Sequence, residues 1–252
     1  MNAPAPAPAK KIPTTADDPF ATCDGRDLLL LWRIHSHIFT SFEIDYDAVA
    51  HLVPEELEVV ELRPGVALFS VGVLSYETGH FYEGSPEFDE LVSAIHVAPD
   101  LSTKMPMPTM TFCATQVYCN SPDFVEQEGR TIYTPSRHVP SMKVDYHDQG
   151  WSADVSDAQG PIFSVRNVHP NPVFEDTVMW GQHFTNTKGL QQGIWEWDGR
   201  KFEHMTKNDA WQLHPHEAFG GVDVTAVQRV YRQMILEPNT RCYERFYGMR
   251  KL

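Results

Sequence analysis

The sequence predicts a mainly β (α+β) fold, a barrel or double-sheet domain with a few peripheral helices. Three observations predict it. Runs rich in aliphatic, aromatic and β-branched residues recur along the chain, as at Val66–Tyr76 and Thr109–Tyr118. Such side chains suit a pleated, half-buried surface. Turn residues separate the runs, among them Pro64-Gly65 and Asp198-Gly199, and apolar spacing of helical period is scarce.

Taken in order, residues 1–22 begin Ala/Pro-rich and read as a flexible tail, leaving 23–252 as a single domain. Asp27 to Thr40 reads as a strand pair or one bent strand. Asp45 to Leu52 predicts a short helix that Pro54 stops. Leu57 to Leu62 and Val66 to Tyr76 flank Pro64-Gly65 as a hairpin. Leu91 to Ala98 and Thr109 to Tyr118 are strands. Ser121-Pro122-Asp123 opens a helix, with Pro at its first position, that ends near Gly129.

Met142 to His147, Trp151 to Val155 and Ile162 to Val168 are strand-like. Gly193 to Phe202 predicts a hairpin turning at Asp198-Gly199. Asp223 to Ile235 carries Val224, Val227, Val230, Tyr231 and Met234 at helical spacing and predicts the best helix. Cys242 to Met249 alternates as a final strand.

The 252 residues suffice for one large β domain. A net charge of -14 repels phosphate backbones and anionic headgroups, so neither nucleic acid nor membrane is expected as a partner. Cys23, Cys113, Cys119 and Cys242 form no CxxC pair and read as free thiols of a reducing compartment, the cytoplasm. The N-terminus lacks the order of a signal peptide.

Three segments carry a resemblance. Ile44 to Val59 contains Val53-Pro54-Glu55-Glu56-Leu57-Glu58; Asp89 to Val97 reads Asp-Glu-Leu-Val-Ser-Ala-Ile-His-Val; Asn120 is followed by Gly129-Arg130-Thr131-Ile132. In their order they resemble the early helix with V-P-E-x-L-E, the T-E-S-G-Q-x-I-P-V strand and the N-x(8)-G-R-E-L stretch of the acetoacetate decarboxylase-like superfamily. Ala210-Trp211 is a weaker match. The run from Trp32 to Val73 also resembles the YqjF-like proteins.

The resemblance implies a lyase working through a Schiff-base lysine beside a second lysine. Counted from Gly129-Arg130, the two lysine positions fall on Arg137 and His138, just after Tyr133. A guanidinium stays protonated and forms no imine, so this chain is identified as a divergent member. Lys143, six residues on, reads as a solvated strand lysine that would replace the missing amine only if the loop shifted.

The chemistry expected instead is acid/base and electrostatic. Arg137 would grip a carboxylate or enolate, His138 would act as acid or base, and Glu90, matching the family's pocket Glu, would be their partner. His96, Arg130 and Tyr133 would help bind substrate. The expected function is a decarboxylase, hydro-lyase or retro-aldol lyase acting on a small keto or aromatic acid, with no cofactor and no metal. By analogy the protein would be a homo-oligomer.

Two other readings stand beside it. The protein could be an idle small-molecule binder on the same scaffold. It could also be a metal enzyme using a His-x-His pair, either His35 and His37 with Glu43, or His214 and His216.

Overall fold

The structure is a computed structural model that describes residues 28–77, 86–101, 107–131, 134–148, 152–166, 173–185, 189–204, 210–236 and 240–250. The expected tail at residues 1–22 and Cys23 lie outside these.

Fourteen strands and one helix carry the described chain. They are β1 (Leu28–Asp45), β2 (Glu61–Arg63), β3 (Val66–Tyr76), β4 (Phe88–His96), β5 (Met110–Cys119), α1 (Pro122–Thr131), β6 (Ser136–His138) and β7 (Lys143–His147). Then come β8 (Ser152–Asp157), β9 (Gly160–Arg166), β10 (Val173–Thr185), β11 (Leu190–His204), β12 (Ala210–Leu213), β13 (Val227–Leu236) and β14 (Thr240–Arg250).

The strands form two sheets. The larger runs β13-β1-β14-β11-β10-β5-β4-β3-β2, with β6 beside β5, and the smaller runs β12-β9-β8-β7. β1 is long enough to serve two neighbours on one side, β14 along Leu28–Ile34 and β13 along His37–Ile44. Its other side pairs β3. The larger sheet therefore curls. Phe39 on β1 reaches Phe112 on β5 at 5.8 Å, although β3 and β4 lie between them in the sheet.

Alternation along each strand splits the apolar residues into two clusters. One fills the gap between the sheets, where Phe42 meets Phe163 edge-on at 6.3 Å. The other lines the inside of the curl and includes Phe39, Val92, Phe112, Trp197 and Met234. Each fully buried aromatic contributes roughly 2–3 kcal/mol of apolar transfer. The double-sheet, mainly β form expected from the sequence is the form found.

Several elements follow the sequence closely. Gly65 takes φ 78° in the β2–β3 turn, a left-handed geometry that suits glycine. Ser121 caps α1, its hydroxyl accepting from Phe124 N at 3.3 Å. Three elements differ. Tyr46–Ala48 and Ala50–Leu52 are two short 3₁₀ turns where one helix was expected. Asp223 to Ile235 is a 3₁₀ turn at Val224–Ala226 followed by β13. Its valines and tyrosine favour strand, and pairing with β1 and β11 outweighs an apolar spacing that happened to fit a helix. Gly193 to Phe202 does not turn at Asp198-Gly199 but runs straight through as β11. Gly199 is there because a β-carbon would stand 2.8 Å from Thr240 Oγ1 on β14.

Among the described residues, no helix is long and apolar enough to cross a membrane.

Candidate active site

β4 alternates into the curl with Phe88, Glu90, Val92 and Ala94. Glu90 is thus a carboxyl among apolar side chains, 5% exposed. Its Oε2 accepts a 2.6 Å hydrogen bond from the hydroxyl of Tyr76 on β3. Burial pushes the Glu90 carboxyl up to about 8, against the pull of the Tyr76 hydrogen bond and helped by the charge of Glu244. Burial and the Glu90 charge likewise hold the Tyr76 phenol well above its ordinary range. Tyr76 stacks on Phe88 at 4.4 Å, and Phe124 of α1 packs on Phe88 at 4.7 Å.

A second polar pair lies on the same inner face. Glu244 on β14 is buried, and its Oε1 is 2.8 Å from Nε2 of His183 on β10. The His183 ring stacks on Trp195 at 4.5 Å. It also lies over Gly193 of β11, where a β-carbon would stand 1.9 Å from Nε2. Only a bare backbone admits the ring in this place.

A cavity of about 340 Å³, within the range of small-molecule sites, lies where β3 ends and β4 begins. Tyr76 and Phe88 are among its lining residues and Glu90 is not; Asp89, next to Glu90 on β4, points to the opposite face. The cavity's polar lining includes His35, Asp89 and Asn120. Asp89 is fixed by Ser75, which donates to Oδ1, and by Asn120, which donates to Oδ2 at 3.2 Å.

The structure places the sequence-predicted residues in different surroundings. Arg137 does not meet Glu90. It pairs with Tyr118 across the β5–β6 ladder, and Tyr118 faces the gap between the sheets. The guanidinium lies 5.7 Å over the Tyr118 ring, binds Glu217, and leaves 53% of its side chain in solvent. His138 on β6 and Lys143 on β7 are exposed. His96 is buried, accepting from or donating to Ser70 Oγ at 2.7 Å. Burial lowers its imidazole to about 3, with the Arg232 charge adding, so it is neutral. Arg130 lies on α1 with its side chain outside what is described, and Tyr133 is outside the described residues.

The buried cationic side chain found on β11 is Lys201, 5% exposed. It follows Trp195 and Trp197 at two-residue spacing and shares their inner face. Strand register puts it in one row with Glu90: Lys201 pairs Leu236, Leu236 pairs His37, His37 pairs Leu74, and Leu74 pairs Glu90. The sequence reading did not single out Lys201, which the turn expected at Asp198-Gly199 set on a separate arm from Trp195 and Trp197. It missed Glu244 too, although a carboxylate two residues after Cys242 in an alternating strand is a legible inward signal.

The His-x-His pairs do not gather ligands. His37 stacks on Trp197 at 6.1 Å, and burial lowers it to about 3. Glu43 is buried between two arginines, 2.6 Å from Arg63 Nη1 and 2.6 Å from Arg229 Nη2. His216 accepts from Ala218 N through Nδ1 at 3.1 Å, capping a 3₁₀ turn, with Nε2 3.4 Å from Asp157. Among the described residues, no group of three or more His, Cys, Asp or Glu could hold a metal ion.

No family model and no curated protein matches the chain. Solved structures do. An acetoacetate decarboxylase from Legionella pneumophila superposes with a TM-score of 0.57 at 11% identity, covering 96% of this chain and 97% of that one. The enduracididine biosynthesis enzyme MppR, complexed with pyruvate, gives 0.53 at 10% identity over 91% and 92%. An acetoacetate decarboxylase-like enzyme from Sphingomonas wittichii gives 0.51 at 11% over 90% and 94%.

The chain has the acetoacetate decarboxylase-like fold. At these identities the superpositions establish the scaffold alone, and the chemistry must be argued from the residues inside it. On this acetoacetate decarboxylase-like scaffold, the interior of the curl carries Glu90, Tyr76, Glu244, His183 and Lys201, whereas Arg137 is on the far face of its sheet.

Proposed function

We propose that this protein is an enzyme of lyase type that breaks a carbon–carbon or carbon–oxygen bond in a small carbonyl compound by proton transfer at Glu90. One observation carries the reading. Glu90 is a buried carboxyl whose value of about 8 lets both protonation states exist near neutrality. A general acid or base works best when poised in this way. Tyr76 holds one carboxyl oxygen and its residue is among those lining the cavity, which supports it as the proton carrier between Glu90 and a bound molecule.

In the protonated form, the Glu90–Tyr76 pair would place an O–H toward a carbonyl oxygen and stabilise developing enolate charge. In the ionised form it would take the proton back. Glu244 and His183 form a second buried pair able to hold charge nearby. The neighbouring folds being those of enzymes supports a catalytic role over idle binding. Three buried free thiols, Cys113, Cys119 and Cys242, support a reducing, cytoplasmic setting. Leu101 and Met107, both more than half exposed, support assembly with further copies.

The test is a thermal-shift screen against small ketones, keto acids and phenolic acids, with product analysis. The expected result is conversion by wild type and none by Glu90→Gln, with both proteins folded. Conversion undiminished in Glu90→Gln would remove this carboxyl from the mechanism. Borohydride trapping decides between proton transfer and imine formation. A mass adduct on Lys201 would replace the acid/base scheme by a covalent one.

A further inference from the structure

The interior of the curl is coated with aromatic rings whose centroids close a circuit. His37 lies 6.0 Å from Phe39, Phe39 5.8 Å from Phe112, and Phe112 5.3 Å from Trp195. Trp195 lies 5.3 Å from Trp197, and Trp197 6.1 Å from His37. Three inner-face glycines lie beneath rings of this interior. A β-carbon would stand 3.0 Å from Phe39 Cδ2 at Gly72, 2.8 Å from Trp197 Cζ3 at Gly181 and 1.9 Å from His183 Nε2 at Gly193. A glycine inside a strand often marks such close approach. The bare backbone lets the rings fold down on neighbouring strands, so they coat the wall instead of standing across the interior.

This lining carries polar atoms that the fold does not satisfy. Nε1 of Trp195, Nε1 of Trp197 and Nδ1 of His37 are buried and have no hydrogen-bond partner among the described residues. Trp197 is 1% exposed and His37 2%. Buried polar atoms left unpaired are costly and uncommon. The benzo end of Trp197 rests on Gly181, which turns the pyrrole end with Nε1 away from β10. Indole faces receive a flat partner, and indole N–H edges receive an oxygen acceptor. Burial lowers His37 to about 3, so it adds a hydrogen-bonding nitrogen without a charge.

Glu90 shares this inner face. His37 pairs Leu74 and Leu74 pairs Glu90, so two strand spacings, about 10 Å, separate them. That span is comparable with the length of one small aryl ketone. Tyr76 and Phe88 belong both to the inner cluster and to the cavity lining.

We infer that the substrate of the Glu90 site is a small aryl carbonyl compound whose flat ring lies among Trp195, Trp197 and His37, whose oxygen accepts from an indole N–H, and whose α-carbon faces Glu90. The inference rests on the reading of Glu90 given above and names its substrate class. The α C–H bond breaks, its proton moves to the ionised carboxylate, and the electron pair passes into the enolate, whose oxygen charge the indole N–H stabilises.

The experiment compares benzylacetone with its ring-saturated analogue on the full chain. The two carry the same ketone on a flat and on a puckered ring. Affinity is read by isothermal titration, contact by tryptophan emission and reaction by solvent deuterium exchange at the α-carbon. The expected result is benzylacetone binding at least about tenfold more tightly and quenching tryptophan emission. Burial of apolar surface alone would favour the saturated ring instead. Trp195→Phe and Trp197→Phe each keep an aromatic wall and remove one N–H, and at least one should weaken benzylacetone binding by about threefold or more. If neither variant folds, the comparison of the two ketones on wild type still decides. Saturated ketone bound as tightly as benzylacetone, no binding of either, or full benzylacetone affinity in both folded Phe variants overturns the inference. Exchange lost in Glu90→Gln while the saturated ketone binds as well sinks only the substrate class. Exchange unchanged in Glu90→Gln while benzylacetone is preferred sinks only the role of Glu90.

Discussion

The phenolic oxygen of Tyr76 stands 2.6 Å from Oε2 of Glu90, with both residues buried on the inside of the curled sheet. A neutral hydroxyl donating to a carboxyl in apolar surroundings keeps that carboxyl in place without neutralising it. The geometry therefore ties the protonation of Glu90 to the stability of the fold.

Glu90 should make the protein less stable as pH rises. Its folded value is about 8 against 4.5 for the free side chain. Between those values the unfolded chain has released the proton and the folded chain still holds it. The contribution is thus fully present below the unfolded value and is lost as pH rises through the folded one. The loss is on the order of a few kcal/mol. Denaturant titrations of wild type and Glu90→Gln across this window should show a falling slope in the former and a flatter one in the latter. Parallel profiles would mean the carboxyl is not buried as described.

Tyr76→Phe removes the hydroxyl and leaves Glu90 Oε2 without that donor. The hydrogen bond lowers the Glu90 value, so its loss should move that value further up from about 8. The carboxyl resonance followed by carbon NMR against pH reads this directly. A stability loss of about 1–2 kcal/mol should accompany it, the usual cost of a missing buried partner. A carboxyl that titrates as in wild type would separate Tyr76 from the site.

Arg137→Ala should leave folding and turnover unchanged. Its guanidinium is half exposed and bound to a Glu217 carboxylate that is itself in solvent. Exposed pairs of this kind contribute little. Melting curves and turnover of Arg137→Ala beside Glu90→Gln make the comparison, and a large loss in the former would return Arg137 to the mechanism.

How far the sequence could be read depends on which physical signal a segment carried. β3, β4 and β5 were legible because their residues are β-branched, aliphatic and aromatic and their turns are marked by Pro64-Gly65 and by Ser121. Glu90 was legible through its place in a strand resembling the family's pocket strand. Arg137 was read as standing where the resemblance implies a lysine, and the direction of its side chain was not legible. It is set by β6 pairing in parallel with β5, and by Tyr118 rather than Cys119 lying beneath it. The Asp198-Gly199 segment and β13 were misread for one reason: partners far along the chain, β14 for Gly199 and β1 for Val230, override the local signals of turn and helix. The centre around His183, Gly193 and Glu244 draws on three strands late in the chain, and no local pattern reports that meeting.

Glu43→Gln should destabilise the fold at neutral pH and remove part of its acid sensitivity. Burial alone would raise the Glu43 carboxyl, but hydrogen bonds and charge from Arg229 and Arg63 outweigh it and lower the value. A lowered carboxylate contributes stability above its unfolded value, and that contribution is lost as pH falls through the folded value. Both arginines are half in water, so the cost at pH 7 is discounted to about 1–3 kcal/mol. The measurement is chemical denaturation of both proteins at neutral and acid pH. Wild type should lose its advantage on acidification, and equal stabilities at neutral pH would show that the arginines solvate a neutral amide as well as a charge.

Gly193→Ala should break the inner site while sparing the outer face. The new β-carbon would fall 1.9 Å from Nε2 of His183, far inside contact distance, and the ring is itself packed on Trp195 at 4.5 Å. The backbone of β11 is held by β10 and β14 on either side, so the imidazole is what must move. Moving it withdraws Nε2 from the buried Glu244 side chain. Overpacking of this kind costs about 1–3 kcal/mol. With His183→Ala in the same chain, the clash has no object, and stability should partly return. A double-mutant cycle on unfolding free energies reads the coupling. Additive losses would show that His183 does not rest on the bare backbone at Gly193.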